Sequence, residues 1–201
     1  MPQPFNNAVM TNGGAKLLTR AQAGEIQIEF TKIVVGNGTY ADSEKTLAAL
    51  QARTSLKSAK NGYALSDVDV YSDYSVKVSA LITNQDPVTK ETLVSQGFYI
   101  NEMGLYAKVK NGASSTEVLY SITTTAAANG DFMPPYNGYF PAQITQDYFA
   151  TVNNSAEVTI EGGTGAALLA EDANKIKDDT TKQKYKLGID NGALYYEEVA
   201  E

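Results

Sequence analysis

The sequence predicts an α+β chain: a mainly antiparallel sheet with two short N-terminal helices over residues 1–162, then a linker, a short helix and a β-hairpin over residues 163–201. Three observations carry this. Alternating apolar and polar residues recur through the middle of the chain, most cleanly where Tyr74, Val76, Val78, Ala80 and Ile82 oppose Ser75, Lys77, Ser79 and Leu81. Polar residues that favour a helix start precede apolar residues at helical spacing at Thr11 and again at Asp42-Ser43. The composition changes at Glu161-Gly162-Gly163-Thr164-Gly165, beyond which Asp190-Asn191-Gly192 separates two short alternating runs.

The elements follow in order. Thr11-Asn12-Gly13-Gly14 leads into a helix over Ala15 to Ala23 with a stop at Gly24, and Leu17, Leu18 and Ala21 form its apolar stripe. Glu25 to Val35 reads as a strand whose parity switches: Ile26, Ile28 and Phe30 share one face, whereas Ile33 and Val35 fall on the other. The switch implies a bulge near Thr31-Lys32 or burial on both faces. Gly36-Asn37-Gly38-Thr39 is a turn; it lacks the glycine spacing and the Lys-Ser/Thr ending of a phosphate loop. A second helix is expected from Glu44 to about Arg53, with Leu47 and Leu50 facing the core. Tyr63 to Val70 and Tyr74 to Ile82 follow as strands, the latter paired with Leu93 to Ile100 through the turn chemistry of Asp86-Pro87. Leu105 to Val109 and Val118 to Thr123 flank a turn at Asn111-Gly112, and Thr145 to Ile160 closes the main domain. Ala166 to Lys177 is the C-terminal helix. The hairpin strands are Lys184 to Ile189 and Ala193 to Val199, and an isolated hairpin is marginal in water, so this one must dock.

At 201 residues, with 43% hydrophobic and 19% charged residues, the chain has enough apolar material for one folded domain with an appendage. A net charge of −7 and only two arginines, Arg20 and Arg53, work against binding a phosphate backbone, so no nucleic-acid partner is expected. The N-terminus has no basic flank leading into an apolar segment, and no run approaches the ~18 apolar residues of a membrane span. Neither a signal peptide nor a membrane span is therefore expected. The chain contains no His, Cys or Trp. That removes disulfides, thiolate and imidazole metal ligands, and both the Ser-His and Cys-His routes to an activated nucleophile. No cofactor or metal site is expected, and any enzyme built here would depend on carboxylates, Lys or Tyr.

Asp67 and Asp69 share a strand parity and invite a two-carboxylate glycan-hydrolase reading, but solvent-facing acidic residues are far commoner. Asp67, Asp69, Tyr71 and Asp73 fall at alternate positions, yet they lack the central Gly and closing Glu of a calcium loop. Glu102 is the most informative carboxylate. In Gly97-Phe98-Tyr99-Ile100-Asn101-Glu102-Met103-Gly104-Leu105-Tyr106 it interrupts an aromatic strand beside Gly104, a residue that marks a bulge or a close backbone approach. A buried carboxylate must be hydrogen-bonded, so Glu102 and Gly104 are candidates for a structural clasp fed by backbone amides, or for a subunit contact. The segment Ala126 to Pro141 carries Phe132, Tyr136, Tyr139 and Phe140, which either contact a partner or lid the protein's own core. Tyr185, Asn191, Gly192, Tyr195 and Tyr196 mark the C-terminal hairpin as a further candidate contact.

The stretch Gly97 to Tyr106 resembles the Gly-Phe-aromatic-Ile-x-Glu-Ile/Leu-Gly-Leu-aromatic signature of the phage tail-collar fibre family. Ile33 to Gly38 resembles that family's Ile-x-x-Gly-Asp/Asn-Gly segment, and Ala156 to Ile160 its final strand. Lys184 to Glu197 is similar to a Lys-Tyr-x-Leu-Gly-x-x-Asn-Gly-x-Leu-Tyr-x-Glu phrase near the ends of tail-fibre and appendage proteins of phages of Gram-positive bacteria. The resemblance implies that residues 1–162 form a baseplate-attachment domain. It further implies a non-enzymatic virion structural protein of a phage tail or phage-tail-like contractile injection particle, made in the bacterial cytoplasm and serving host attachment. Its implied partners are baseplate proteins and a distal fibre protein, and its implied state is a homotrimer. Family members continue into a long shaft and a receptor-binding tip, whereas this chain ends at Glu201, so a stub or a fragment is expected. The alternatives are a glycan-binding adhesin, which 13 tyrosines would suit, and a carboxylate-dependent glycan hydrolase.

Overall fold

The computed structural model describes residues 5–72, 75–112, 116–151, 175–177, 180, 184–190 and 193–198. The chain divides into two compact units, Met1–Ala167 and Leu168–Glu201. In the first, nine strands are described: β1 (Val9–Met10), β2 (Ile28–Gly36), β3 (Ala59–Ser72), β4 (Ser75–Thr83), β5 (Phe98–Ile100), β6 (Glu102–Val109), β7 (Val118–Thr124), β8 (Asp131–Met133) and β9 (Gln143–Thr151). Seven of them form one antiparallel sheet in the order β1-β7-β6-β2-β3-β4-β9, curled into a half-barrel, while β5 and β8 pair separately. The second unit holds β10 (Lys175–Lys177), β11 (Lys184–Asp190) and β12 (Ala193–Glu198), an antiparallel sheet of three strands.

The α+β expectation is thereby corrected. Strands dominate, and the described residues contain two α-helices, α1 (Asn12–Gln22) and α2 (Leu47–Gln51), which are too short to make a layer of their own. The second expected helix is broken: a 3₁₀ turn at Asp42–Glu44 precedes α2, and Thr46 restarts the helix by accepting the Ala49 N–H. Leu47, expected in the core, is 62% exposed, whereas Leu50 is buried. Of the C-terminal helix expected from Ala166 to Lys177, the described part, Lys175–Lys177, is a strand in register with Lys184 to Lys186. Pairing with a neighbouring strand overrides the local helix preference of lysine there. Residues 166–174 lie outside the described residues.

Strand pairing differs from expectation in one further place. β4 pairs with β3 on one side and β9 on the other, whereas Phe98–Ile100 pairs with Asp131–Met133. Two neighbours with long ladders outcompete the short strand that lies nearer in sequence. The alternation of β4 itself is as expected, with Val76, Val78, Ala80 and Ile82 buried. Tyr74 and the expected final strand Ala156 to Ile160 lie outside the described residues. The hairpin strands around Asp190 are antiparallel, and β10 supplies a third strand on the β11 side.

β2 explains its own parity switch. Its ladder to β6 slips between Phe30 and Lys32, and the hydroxyl of Thr31 at the slip donates to the Glu117 carboxylate at 2.6 Å. Beyond the slip, Ile33 and Val35 enter the main core while Val34 enters a smaller one with Tyr40, Leu50, Leu56, Leu119 and Ile122. The main core lies under α1, where Leu17 and Ala21 join Phe30 and Tyr120, whose rings meet edge to face at 5.0 Å. Thr11 fixes the helix start twice over: its hydroxyl accepts the Gly14 N–H at 3.0 Å and donates to the Leu119 carbonyl of β7.

Candidate functional site

Glu102 opens β6, an interior strand of the sheet, opposite Gly36 on β2 and Thr124 on β7. It is completely buried. Burying a carboxylate is costly unless each oxygen finds donors, and this one finds four. Oε1 accepts the N–H of Gly38 at 3.0 Å and of Ser58 at 2.6 Å. Oε2 accepts the N–H of Lys57 at 2.8 Å and the hydroxyl of Tyr40. These donors belong to two loops, one following β2 and one preceding β3, so a single side chain ties both to β6. The Asn37 N–H donates to the Ser58 carbonyl at 3.0 Å, and the Ser58 hydroxyl to the Asn37 side-chain oxygen at 2.7 Å, joining the two loops directly.

The glycines of Gly36-Asn37-Gly38 make room for the carboxylate. A Cβ on either Gly36 or Gly38 would sit 2.5 Å from Glu102 Oε1, closer than van der Waals contact allows. The strand break falls at Asn101 rather than at the expected Glu102-Met103-Gly104, because Asn101 turns its backbone to Gly36 and Thr125 and its side chain to the Gly130 N–H. Gly104 stays in register between Val34 and Ile122, where a Cβ would meet Leu119 Cδ1 at 2.5 Å. It serves close packing, not a bulge.

Tyr40 is the outer wall of the clasp. Its hydroxyl is pushed to a higher pKa by burial first and then by the hydrogen bond to Glu102, so it stays a donor. Arg53 and Lys57 lie over its ring at 5.2 and 5.4 Å, and Lys57 also bridges to Glu44 at 2.7 Å. With all its acceptor positions engaged, Glu102 can hold backbone in place but has no lone pair left for a substrate proton.

The other expected site residues lie elsewhere. Phe132 on β8 pairs with Tyr99 on β5, their rings 5.1 Å apart, and the Tyr136 N–H donates to the Val94 carbonyl. Tyr139 and Phe140 are each 81% exposed, whereas Met133 on β8 is buried in the main core. In the C-terminal unit Tyr185 and Tyr196 meet edge to face at 5.7 Å, and Tyr195 and Tyr196 are exposed. Asn191 and Gly192 lie outside the described residues. Asp67 and Asp69 stand opposite Ser79 and Lys77 of β4, and among the described residues no cluster of acidic side chains could hold a metal ion. No described helix is long and apolar enough to cross a membrane.

Sequence reasoning missed Tyr40, Lys57 and Ser58 as partners of Glu102. Three of the four donors are backbone amides, which carry no residue signature; only the two glycines flanking Asn37 hinted at the close approach. The chain matches no family model, no curated protein and no solved structure.

Proposed function

We propose that this chain is a structural component of a phage tail or phage-tail-like contractile particle that attaches a tail fibre to the baseplate, acting as a homotrimer between baseplate proteins and a distal fibre protein. The observation that carries the reading is the Glu102 clasp. The two segments with the strongest family resemblance, Ile33 to Gly38 and Gly97 to Tyr106, lie far apart in sequence yet meet at one buried carboxylate. A site whose hydrogen bonds are all spent within the chain, three on backbone amides and one on the Tyr40 hydroxyl, suits a part that transmits force rather than one that turns over a substrate.

The test is made on particles purified from the cells that produce them. The chain is expected in the particle, and labelled antibody against it is expected at the baseplate end of the tail. Deleting its gene should give tails that lack fibres. Particles that contain no trace of the chain would overturn the reading. Tight binding of a cell-surface glycan by the isolated chain, with no place in a particle, would replace it with the adhesin.

A further inference from the structure

Pro134 to Ala142 forms a closed surface loop whose two ends are held by one buried residue, Asn84. The Asn84 side chain donates to the Pro134 carbonyl at 3.1 Å and accepts the Ala142 N–H at 2.9 Å, and its backbone N–H donates to the Ala142 carbonyl at 3.2 Å. The tip is fixed as well. Asn137 Oδ1 accepts the N–H groups of Tyr139 and Phe140 at 3.0 and 3.1 Å, and Gly138 takes a φ of +86° that disfavours any side chain. Compact loops of this kind are commonly functional. Here two rings, each 81% exposed, are held out in solvent on a rigid stem.

Between Asp131 and Asp147 the sequence has no charged residue, in a chain of net charge −7. Two copies of such a chain repel each other, and an uncharged patch is where they can meet without bringing like charges together. Recognition of a sugar would need side-chain amides or carboxylates beside the rings, and the loop's one amide oxygen, on Asn137, is spent on the turn. The patch extends to Phe132, which flanks Gly97 together with Pro135 and stacks on the half-exposed Tyr99. At ~150–250 Å² per aromatic side chain the four rings offer about 500 Å² per copy, the larger part of the ~800 Å² that each partner contributes to a standard interface.

We infer that the loop Pro134 to Ala142 is a self-association surface through which copies of this chain meet, with Tyr139 and Phe140 as the central anchors. The inference deepens the homotrimer part of the proposed function by naming its surface, and it is tested on the purified full chain, so that its failure is distinguishable from failure of the baseplate reading. Sedimentation should show concentration-dependent association of the wild type that strengthens with added salt. Y139S/F140S should weaken it at least about tenfold, the loss expected of central anchor residues. At a concentration low enough for both to be monomeric the thermal midpoint should be unchanged, and Val88→Ser, at an exposed site outside the loop, should associate as the wild type does. Because the chain has no cysteine, Phe140→Cys gives an independent readout: mild oxidation should yield disulfide-linked pairs much faster than it does for Val88→Cys. A wild type that stays monomeric at every concentration and salt, or a double variant that associates as tightly as the wild type, overturns the inference. A monomer that needs the two rings to join a particle or to hold a glycan would assign the loop to that other partner instead.

Discussion

Glu102 shows how much one side chain can determine when its partners are backbone. Replacing it with Gln keeps the size but substitutes an NH₂ for an acceptor that faces an N–H or a hydroxyl, setting donor against donor. Net values of ~1.5–3 kcal/mol for a hydrogen bond to a charged group, with the penalty for the donors left unsatisfied, give an expected loss of about 3 kcal/mol for Glu102→Gln. Tyr40→Phe removes one donor and should cost about 1–2 kcal/mol. Since the two groups share a bond, the double variant should lose less than the sum, with a coupling of at least ~0.5 kcal/mol. Urea unfolding of the four proteins checks this: the midpoints should fall while the slope stays constant, and strict additivity would mean that the Tyr40 hydroxyl and Glu102 do not act together. The sequence carried enough to single out Glu102 and the Gly36-Asn37-Gly38 turn separately. It could not join them, because the contact is made by amides of Gly38, Lys57 and Ser58 that any residue type would provide.

Legibility at the level of elements followed the regularity of the pattern. β4 was readable because its apolar residues alternate onto one buried face, although Ser79 and Thr83 on the other face are buried too, and the slip in β2 was readable because a bulge moves the apolar residues to the opposite parity. The partner of β4 was not readable, since β9 lies some sixty residues downstream and nothing local specifies so distant a pairing. The short helix near Leu47 failed for a different reason. Leu47 and Leu50 are three apart and look like one stripe, but the chain breaks at Lys45-Thr46 and restarts, which rotates Leu47 out to solvent while Leu50 packs against Tyr40 and Leu56. Leu50→Ala should therefore cost about 2–5 kcal/mol, whereas Leu47→Ser should change stability by no more than about 0.5 kcal/mol. Thermal or urea melts of the two variants decide it, and equal losses would mean that the helix buries both leucines.

Across the whole first unit, the buried and half-buried tyrosine hydroxyls set the pH range in which the fold survives. Tyr40, Tyr63, Tyr106, Tyr120 and Tyr148 all have hydroxyl pKa values raised above the ordinary 10.0, in each case chiefly by burial, and Tyr120 is pushed up to about 12. A phenol whose folded pKa lies above its unfolded pKa binds its proton more tightly in the native state. The stability it contributes is complete below pH 10 and drains away as the pH rises toward the folded value. Each such group costs up to about 1.4 kcal/mol per pH unit in that window. Tyr120 alone loses up to about 3 kcal/mol over the two units between pH 10 and its folded value, and the other four lose stability in the same direction, against the ~5–15 kcal/mol by which ordinary domains are stable. The unit is therefore expected to unfold cooperatively between pH 10 and about 12, with tyrosinate absorbance rising in the same step as far-UV circular dichroism is lost. Raising the salt concentration should move the midpoint little, because burial rather than surface charge drives the shifts. Ionisation of these phenols while the circular dichroism stays native would show that the core admits water around them, contrary to the packing of Tyr120 on Phe30 and of Tyr148 on Ser121.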